Sequence, residues 1–254
     1  MQRSGHGESK HMNTRQIEPA DRLIVALDVK TADDAKRLVD RLGNVVSFYK
    51  VGIVLHTVSG TDLVKWLIGR GKRVFLDLKF FDIRETVKEA VARVAELGVT
   101  FLTIHGNAEI IRGAVEGRGK SDLKLLAVTV LTNLDAADIK DLGFPVSVEE
   151  LVLHRARMAA ESGCDGIVAS ANEVVAIRKT LGQKLIIVTP GIRPQSSAPD
   201  EQKRIATPAD AILSGSDYLV VGRPIRSASD PRDAALKIID EMRDAFGELS
   251  LDTT

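Results

Sequence analysis

The chain has little of what disulfide-bonded, membrane-embedded or nucleic-acid-binding proteins rely on. A single cysteine, Cys164, in 254 residues excludes an internal disulfide and fits the reducing cytoplasm. Within Glu-Ser-Gly-Cys-Asp-Gly it stands at a helix-to-strand junction, where a small buried hydrophobe is expected rather than a nucleophile. Neither sign of charge is in excess: Lys+Arg and Asp+Glu both count 35, so no global field draws in nucleic acid or an anionic membrane. An anionic ligand must then be held by a few placed cations. No apolar run reaches the length of a membrane span, and the first residues carry no signal-peptide core. No G-x-G-x-x-G follows the first apolar run, which argues against an open dinucleotide-binding sheet.

What is present is a soluble composition, 44% hydrophobic and 28% charged, on a chain long enough for one large α/β domain. Residues 1–20 are polar and without periodicity; they read as a flexible tail, with the stretch up to about residue 11 as an expression leader and Met12 as the natural start. His6 and His11 go with that tail. Residues 21–248 repeat one unit, a short apolar strand and then an amphipathic helix. Strands are expected at Leu23–Val29, Phe48–Ile53, Val74–Lys79, Phe101–Gly106, Leu125–Thr132, Gly166–Ser170, Leu185–Ile192 and Tyr218–Ile225. Eight alternating βα units imply a parallel sheet closed into a (β/α)8 TIM barrel.

In such a barrel the chemistry belongs at the C-terminal ends of the strands. Those ends carry Asp28, Lys50, Asp77 with Lys79, His105, Thr132, Arg193 and Gly222-Arg223. In Asp77-Leu-Lys79-Phe-Phe-Asp82, strand alternation turns Asp77, Lys79 and Phe75 to one side, with a second carboxylate just beyond. Strands seven and eight end in Pro190-Gly191-Ile192-Arg193 and Gly222-Arg223-Pro224, where glycines admit close backbone approach and the guanidinium groups suit a phosphate dianion. The long segment Arg193–Pro208 reads as a lid over that phosphate, with Gln202 reaching down; a plain surface loop is the alternative. His56 and His154 fall in helical patterns and are expected as surface or helix-packing residues rather than ligands. His105 has no second His or Cys placed to complete a metal site, so a structural or hydrogen-bonding role is expected.

The motifs Ala26-Leu27-Asp28, Lys50-Val51-Gly52, Asp77-x-Lys79-x-x-Asp82-Ile83-x-x-Thr86, Val130-Leu131-Thr132, Thr189-Pro190-Gly191-Ile192-Arg193 and Val221-Gly222-Arg223 together resemble the orotidine 5′-phosphate decarboxylase family, from about Leu23 to Phe246. The resemblance implies a metal-free, cofactor-free homodimer that converts orotidine 5′-monophosphate to UMP and CO2, the last step of de novo pyrimidine biosynthesis. By the same resemblance Lys79 protonates C6, Asp77 lies beside the substrate carboxylate, and Lys50 and Asp82 complete an alternating array, with Asp82 lent by the partner subunit. Asp28 and Lys50 would bind the ribose, and Ile83 and Thr86 would line the partner's contribution. Thr132 would meet the pyrimidine edge, Arg193, Gln202, Gly222 and Arg223 the phosphate, and Pro190 would be a further substrate-binding residue.

Two departures stand out. His105-Gly106-Asn107-Ala108 replaces the more usual His-Ala with small residues, and Phe81 and Arg84 stand where many relatives carry His and Pro. Both leave the charged array intact. The nearest alternative is an Mg2+-dependent sugar-phosphate decarboxylase or synthase of the same barrel suite, which would carry an acidic residue on strand two where this chain has Lys50. A catalytically silent nucleotide-binding barrel is the other; it would be expected to have lost part of the array.

Overall fold

Along the first strand, Leu23, Val25 and Leu27 pack outward into the layer beneath the helices, while Ile24 and Ala26 pack into a second cluster inside the sheet. That two-sided burial is what a parallel strand covered on both faces requires. The computed structural model describes residues 17–194 and 205–251. Strand order is β1 to β8 with β8 hydrogen-bonded back to β1, every pairing parallel: the closed (β/α)8 barrel expected from the alternation.

A short helix α1 (Pro19–Arg22) leads into β1 (Leu23–Ala26), α2 (Ala32–Leu42) and β2 (Phe48–Gly52). Then come α3 (Ile53–Ser59), α4 (Asp62–Gly69), β3 (Arg73–Phe80), α5 (Arg84–Glu96), β4 (Phe101–His105) and α6 (Ala108–Arg118). The second half runs β5 (Lys124–Val128), α7 (Ala136–Asp141), α8 (Val148–Glu161), β6 (Gly166–Val168), α9 (Ala171–Leu181) and β7 (Ile186–Thr189). It ends with α10 (Pro208–Leu213), β8 (Tyr218–Val221), α11 (Arg223–Arg226) and α12 (Pro231–Leu251). Residues 1–16 of the expected tail lie outside the described residues, and α1 begins at Pro19, inside the segment read as tail.

Most strands stop earlier than their apolar runs. β5 ends at Val128 rather than Thr132, β7 at Thr189 rather than Ile192, and β8 at Val221 rather than Ile225. The surplus apolar residues are buried by other means. Val130 packs at the barrel mouth, Ile192 bridges Ala206, and Ile225 is buried in α11. Ile53 does not finish β2 but opens α3, which carries His56 and leaves Ile53, Val54 and Val58 exposed. His154 lies exposed on α8, as its helical pattern implied. Cys164 is buried between α8 and β6, and burial pushes its thiol up to about 12, so it is a packing residue.

The barrel's lower interior is filled by Phe48, Phe75, Phe101 and Tyr218. Phe48–Phe101 and Phe101–Tyr218 have ring centroids 5.1 Å apart, and Phe75–Phe101 5.9 Å. Three of these rings stand at or near the starts of β2, β4 and β8, so they form a floor. The space above it is lined by charged and polar side chains together with apolar ones such as Val128 and Val168.

Candidate active site

Two residues beyond a floor ring, on the same face of the same strand, stands a polar group: Lys50 after Phe48, Asp77 after Phe75, Thr103 after Phe101. Register sets Lys50 level with Phe75 and Asp77 level with Gly52, so Asp77 stands one inward layer further along and the long Lys50 side chain reaches up to it. Above the floor opens a cavity of about 420 Å3 whose wall includes Asp28, Lys50, Asp77, Lys79, Thr132 and Arg193.

The charged side chains form one connected row. Lys50 Nζ lies 3.0 Å from Asp28 Oδ1 and 3.5 Å from Asp77 Oδ2, and Lys79 Nζ lies 2.8 Å from Asp77 Oδ1. Gly52 leaves room for the first pair: a Cβ there would come within 3.2 Å of Lys50 Nζ and 3.3 Å of Asp28 Oδ1. Burial alone would push the Asp77 carboxyl up. The charges of Lys50 and Lys79, with hydrogen bonds from Lys79 and Thr103, outweigh it and hold Asp77 below its ordinary 3.8. Asp77 is therefore anionic throughout the neutral range. Lys50, held between Asp28 and Asp77, puts an ammonium where two carboxylates would otherwise offer a cation site.

Lys79 reaches this position by a backbone irregularity. Leu76 pairs with Leu102 and Phe80 with Ile104, so four steps along β3 match two along β4. Lys79 has φ 49°, the left-handed region that a long side chain adopts only when its surroundings impose it. The simple alternation expected for Asp77 and Lys79 is thus broken between them. Their heads still meet because Thr103 pins the bulge: its hydroxyl accepts the Lys79 N–H at 2.9 Å and donates to Asp77 Oδ1 at 2.9 Å.

Of the other residues singled out in the sequence, Pro190, Arg193, Gly222 and Arg223 line the same cavity as Asp28 and Thr132. Arg193 is 9% exposed and its backbone N–H donates to the Ala206 carbonyl, which anchors the start of the β7–α10 segment. Gln202 lies outside the described residues. Asp82, Ile83 and Thr86 are exposed and do not join the row in this chain; the Asp82 carboxylate accepts from the Ile83 N–H at 2.7 Å. Phe81 and Ile83 are 68% and 73% exposed, so the segment after β3 presents an apolar edge around Asp82. His105 sets its ring against Phe81 with centroids 4.8 Å apart. Burial, with the charges of Arg155 and Lys79, lowers the His105 imidazole below its ordinary 6.5. Asn107 is the N-cap of α6, accepting the Glu109 N–H at 3.0 Å.

Three residues of the site escaped the sequence reading: Thr103, buried behind Asp77 and Lys79, and Asn133 and Arg226 on the cavity wall. The signal for Thr103 was present, a polar residue two places after an inward Phe. It is muted because threonine is an ordinary strand former.

Comparison with known proteins places this geometry among relatives. Residues 21–238 match the sequence pattern of the orotidine 5′-phosphate decarboxylase / HUMPS family. The chain is 56% identical over 226 residues to an orotidine 5′-phosphate decarboxylase of Nitrobacter winogradskyi, covering 89% of this chain and 94% of the relative. Its identity to an enzyme of the same name from Methylococcus capsulatus is 51% over 238 residues, covering 92% and 97%. The crystal structure of orotidine 5′-phosphate decarboxylase from Lactobacillus acidophilus superposes with a TM-score of 0.78 at 37% identity, covering 87% of this chain and 99% of that one.

Proposed function

The chain belongs to the orotidine 5′-phosphate decarboxylase / HUMPS family, and within it we infer a carboxy-lyase that converts orotidine 5′-monophosphate to UMP and CO2, in pyrimidine biosynthesis. The observation that carries this reading is the connected row Asp28–Lys50–Asp77–Lys79 at the mouth of a closed barrel, above an aromatic floor.

The chemistry follows from that row. Breaking the bond between C6 and the carboxylate leaves an electron pair on C6, outside the ring's π system, where it cannot delocalise. A fixed cation close to C6 stabilises that charge best when it is preorganised and shielded from water. Lys79 is that cation. It gives its proton to C6 as CO2 departs and regains one from solvent. Asp77, held anionic by its two lysine neighbours, pairs with the Lys79 ammonium and stands beside the substrate carboxylate, so their repulsion is relieved as CO2 leaves. Asp28 and Lys50 take the ribose hydroxyls and Thr132 the pyrimidine edge, with Pro190 on the wall of the same cavity. Arg193, Gly222 and Arg223 receive the phosphate, with Gln202 as the hand of a closing segment.

The working unit in this reading is a homodimer with shared sites. Asp82 contacts neither lysine of its own chain, and it sits in an exposed apolar edge, Phe81 and Ile83. Ile53, Val54 and Val58 on α3 are exposed as well, and Ile53 and Val54 line a second opening onto Lys50, Asp77 and Lys79. A second copy seated on that edge would bring its Asp82, Ile83 and Thr86 to the row. The reaction needs neither metal nor organic cofactor, since Lys50 already supplies the positive charge between Asp28 and Asp77. Among the described residues no helix is long and apolar enough to cross a membrane. The compartment we infer, from the lone buried thiol, is the reducing cytoplasm.

The test is direct. Purified protein given orotidine 5′-monophosphate should form UMP, followed as a loss of absorbance, at the same rate with and without EDTA. Activity lost on chelation and restored by Mg2+ would favour the metal-dependent sugar-phosphate branch. No turnover at all would favour a silent barrel.

A further inference from the structure

Arg226 lies at the end of α11, one turn beyond Arg223, and its backbone N–H donates to the Gly222 carbonyl at 2.9 Å. It is part of the wall of the active-site cavity and also of a neighbouring basin outside β1, where Lys30, Arg37 and Arg41 stand with Asp28 and Asp34. Both carboxylates of that basin are already engaged: Asp34 by Arg37, Asp28 by Lys50. Arg41 donates to a neutral acceptor, the Ser229 carbonyl. Among the described residues neither Lys30 nor Arg226 has an ion pair. The basin is therefore net positive on a chain of zero net charge, and its positive side opens onto the phosphate end of the site through Arg226.

We propose that Arg226 is a further specificity-determining residue, one that draws the substrate's 5′-phosphate dianion from this outer basin to Arg193 and Arg223. This rests on the decarboxylase reading above and deepens it. A cation shared by two cavities does most for a dianion in transit. Local positive potential at a cleft mouth raises the encounter rate of an anionic substrate, and salt screens the effect. Contact with the bound phosphate, a charge-assisted hydrogen bond, would add affinity that the nucleoside portion cannot supply. Arg226 touches none of the reacting atoms, so its effect belongs in kcat/KM more than in kcat.

The experiment is steady-state kinetics with orotidine 5′-monophosphate on wild type, Arg226→Gln and Arg226→Lys, each at low and at high ionic strength. The Gln variant should lose about tenfold in kcat/KM at low salt, mostly through KM. The loss should shrink at high salt, and the Lys variant should recover most of it. A Gln variant equal to wild type at low salt overturns the proposal. So does a loss of equal size at both ionic strengths that falls on kcat, the mark of structural damage. If wild type itself does not turn over this substrate, it is the functional reading that fails.

Discussion

The Thr103 hydroxyl joins the backbone of Lys79 to the side chain of Asp77, accepting from one at 2.9 Å and donating to the other at 2.9 Å. This fully buried residue is the reason a lysine with φ 49° can hold its ammonium against the carboxylate. Thr103→Val keeps the shape and removes both hydrogen bonds, leaving the Lys79 N–H unsatisfied. The variant should be destabilised by about 1–3 kcal/mol in denaturant unfolding. Its kcat should fall by about tenfold or more through loss of preorganisation at Lys79. A variant with wild-type kcat would show that the bulge holds Lys79 without Thr103.

His105 titrates in a way that links pH to stability. Burial first, then the charges of Arg155 and Lys79, depress its folded value below 6.5. Between the two values the unfolded chain holds a proton that the folded chain does not, so this residue's effect is to lower stability as pH falls through 6.5. Thermal unfolding at pH 8 and at pH 5.5 should show His105→Gln with a smaller drop in Tm than wild type. Equal drops would mean that His105 carries no such linkage.

Asp82 and Lys79 of one chain do not meet, which makes site sharing testable by exchange. Asp82→Ala and Lys79→Ala proteins should each be nearly inactive. Mixed in equal amounts and allowed to exchange subunits, they should regain about a quarter of wild-type activity, because half the dimers are mixed and each of these holds one intact site. No rescue after demonstrated exchange would place Asp82 in its own chain's site.

Much of this is legible in the sequence. Strand count and closure follow from the eight alternating βα units, and the shared side of Phe75 and Asp77 from the two-residue alternation of a strand. The ends of strands were less legible. Apolar residues such as Val130, Ile192 and Ile225 look the same whether they extend a ladder or roof a cavity. For the same reason the start of α3 was hidden: Ile53 reads as the end of a strand, although His56 already falls in a helical pattern, until the helix places Ile53 in solvent. The bulge before Phe80 is a property of register between β3 and β4, and a left-handed lysine has no sequence signature. Arg226 was missed because only the turn of α11 brings it back to the cavity that Arg223 already marks.

In the proposed reaction Lys79, paired with Asp77 in a row that needs no metal, delivers the proton to C6. One measurement tests it most directly: turnover of orotidine 5′-monophosphate by wild type and Lys79→Ala, each in EDTA, with Tm recorded for both. The account predicts chelator-insensitive turnover for wild type. For a Lys79→Ala protein that still unfolds cooperatively, it predicts a loss of at least about a thousandfold. Retained turnover in that variant, or wild-type activity that vanishes with EDTA, would contradict it.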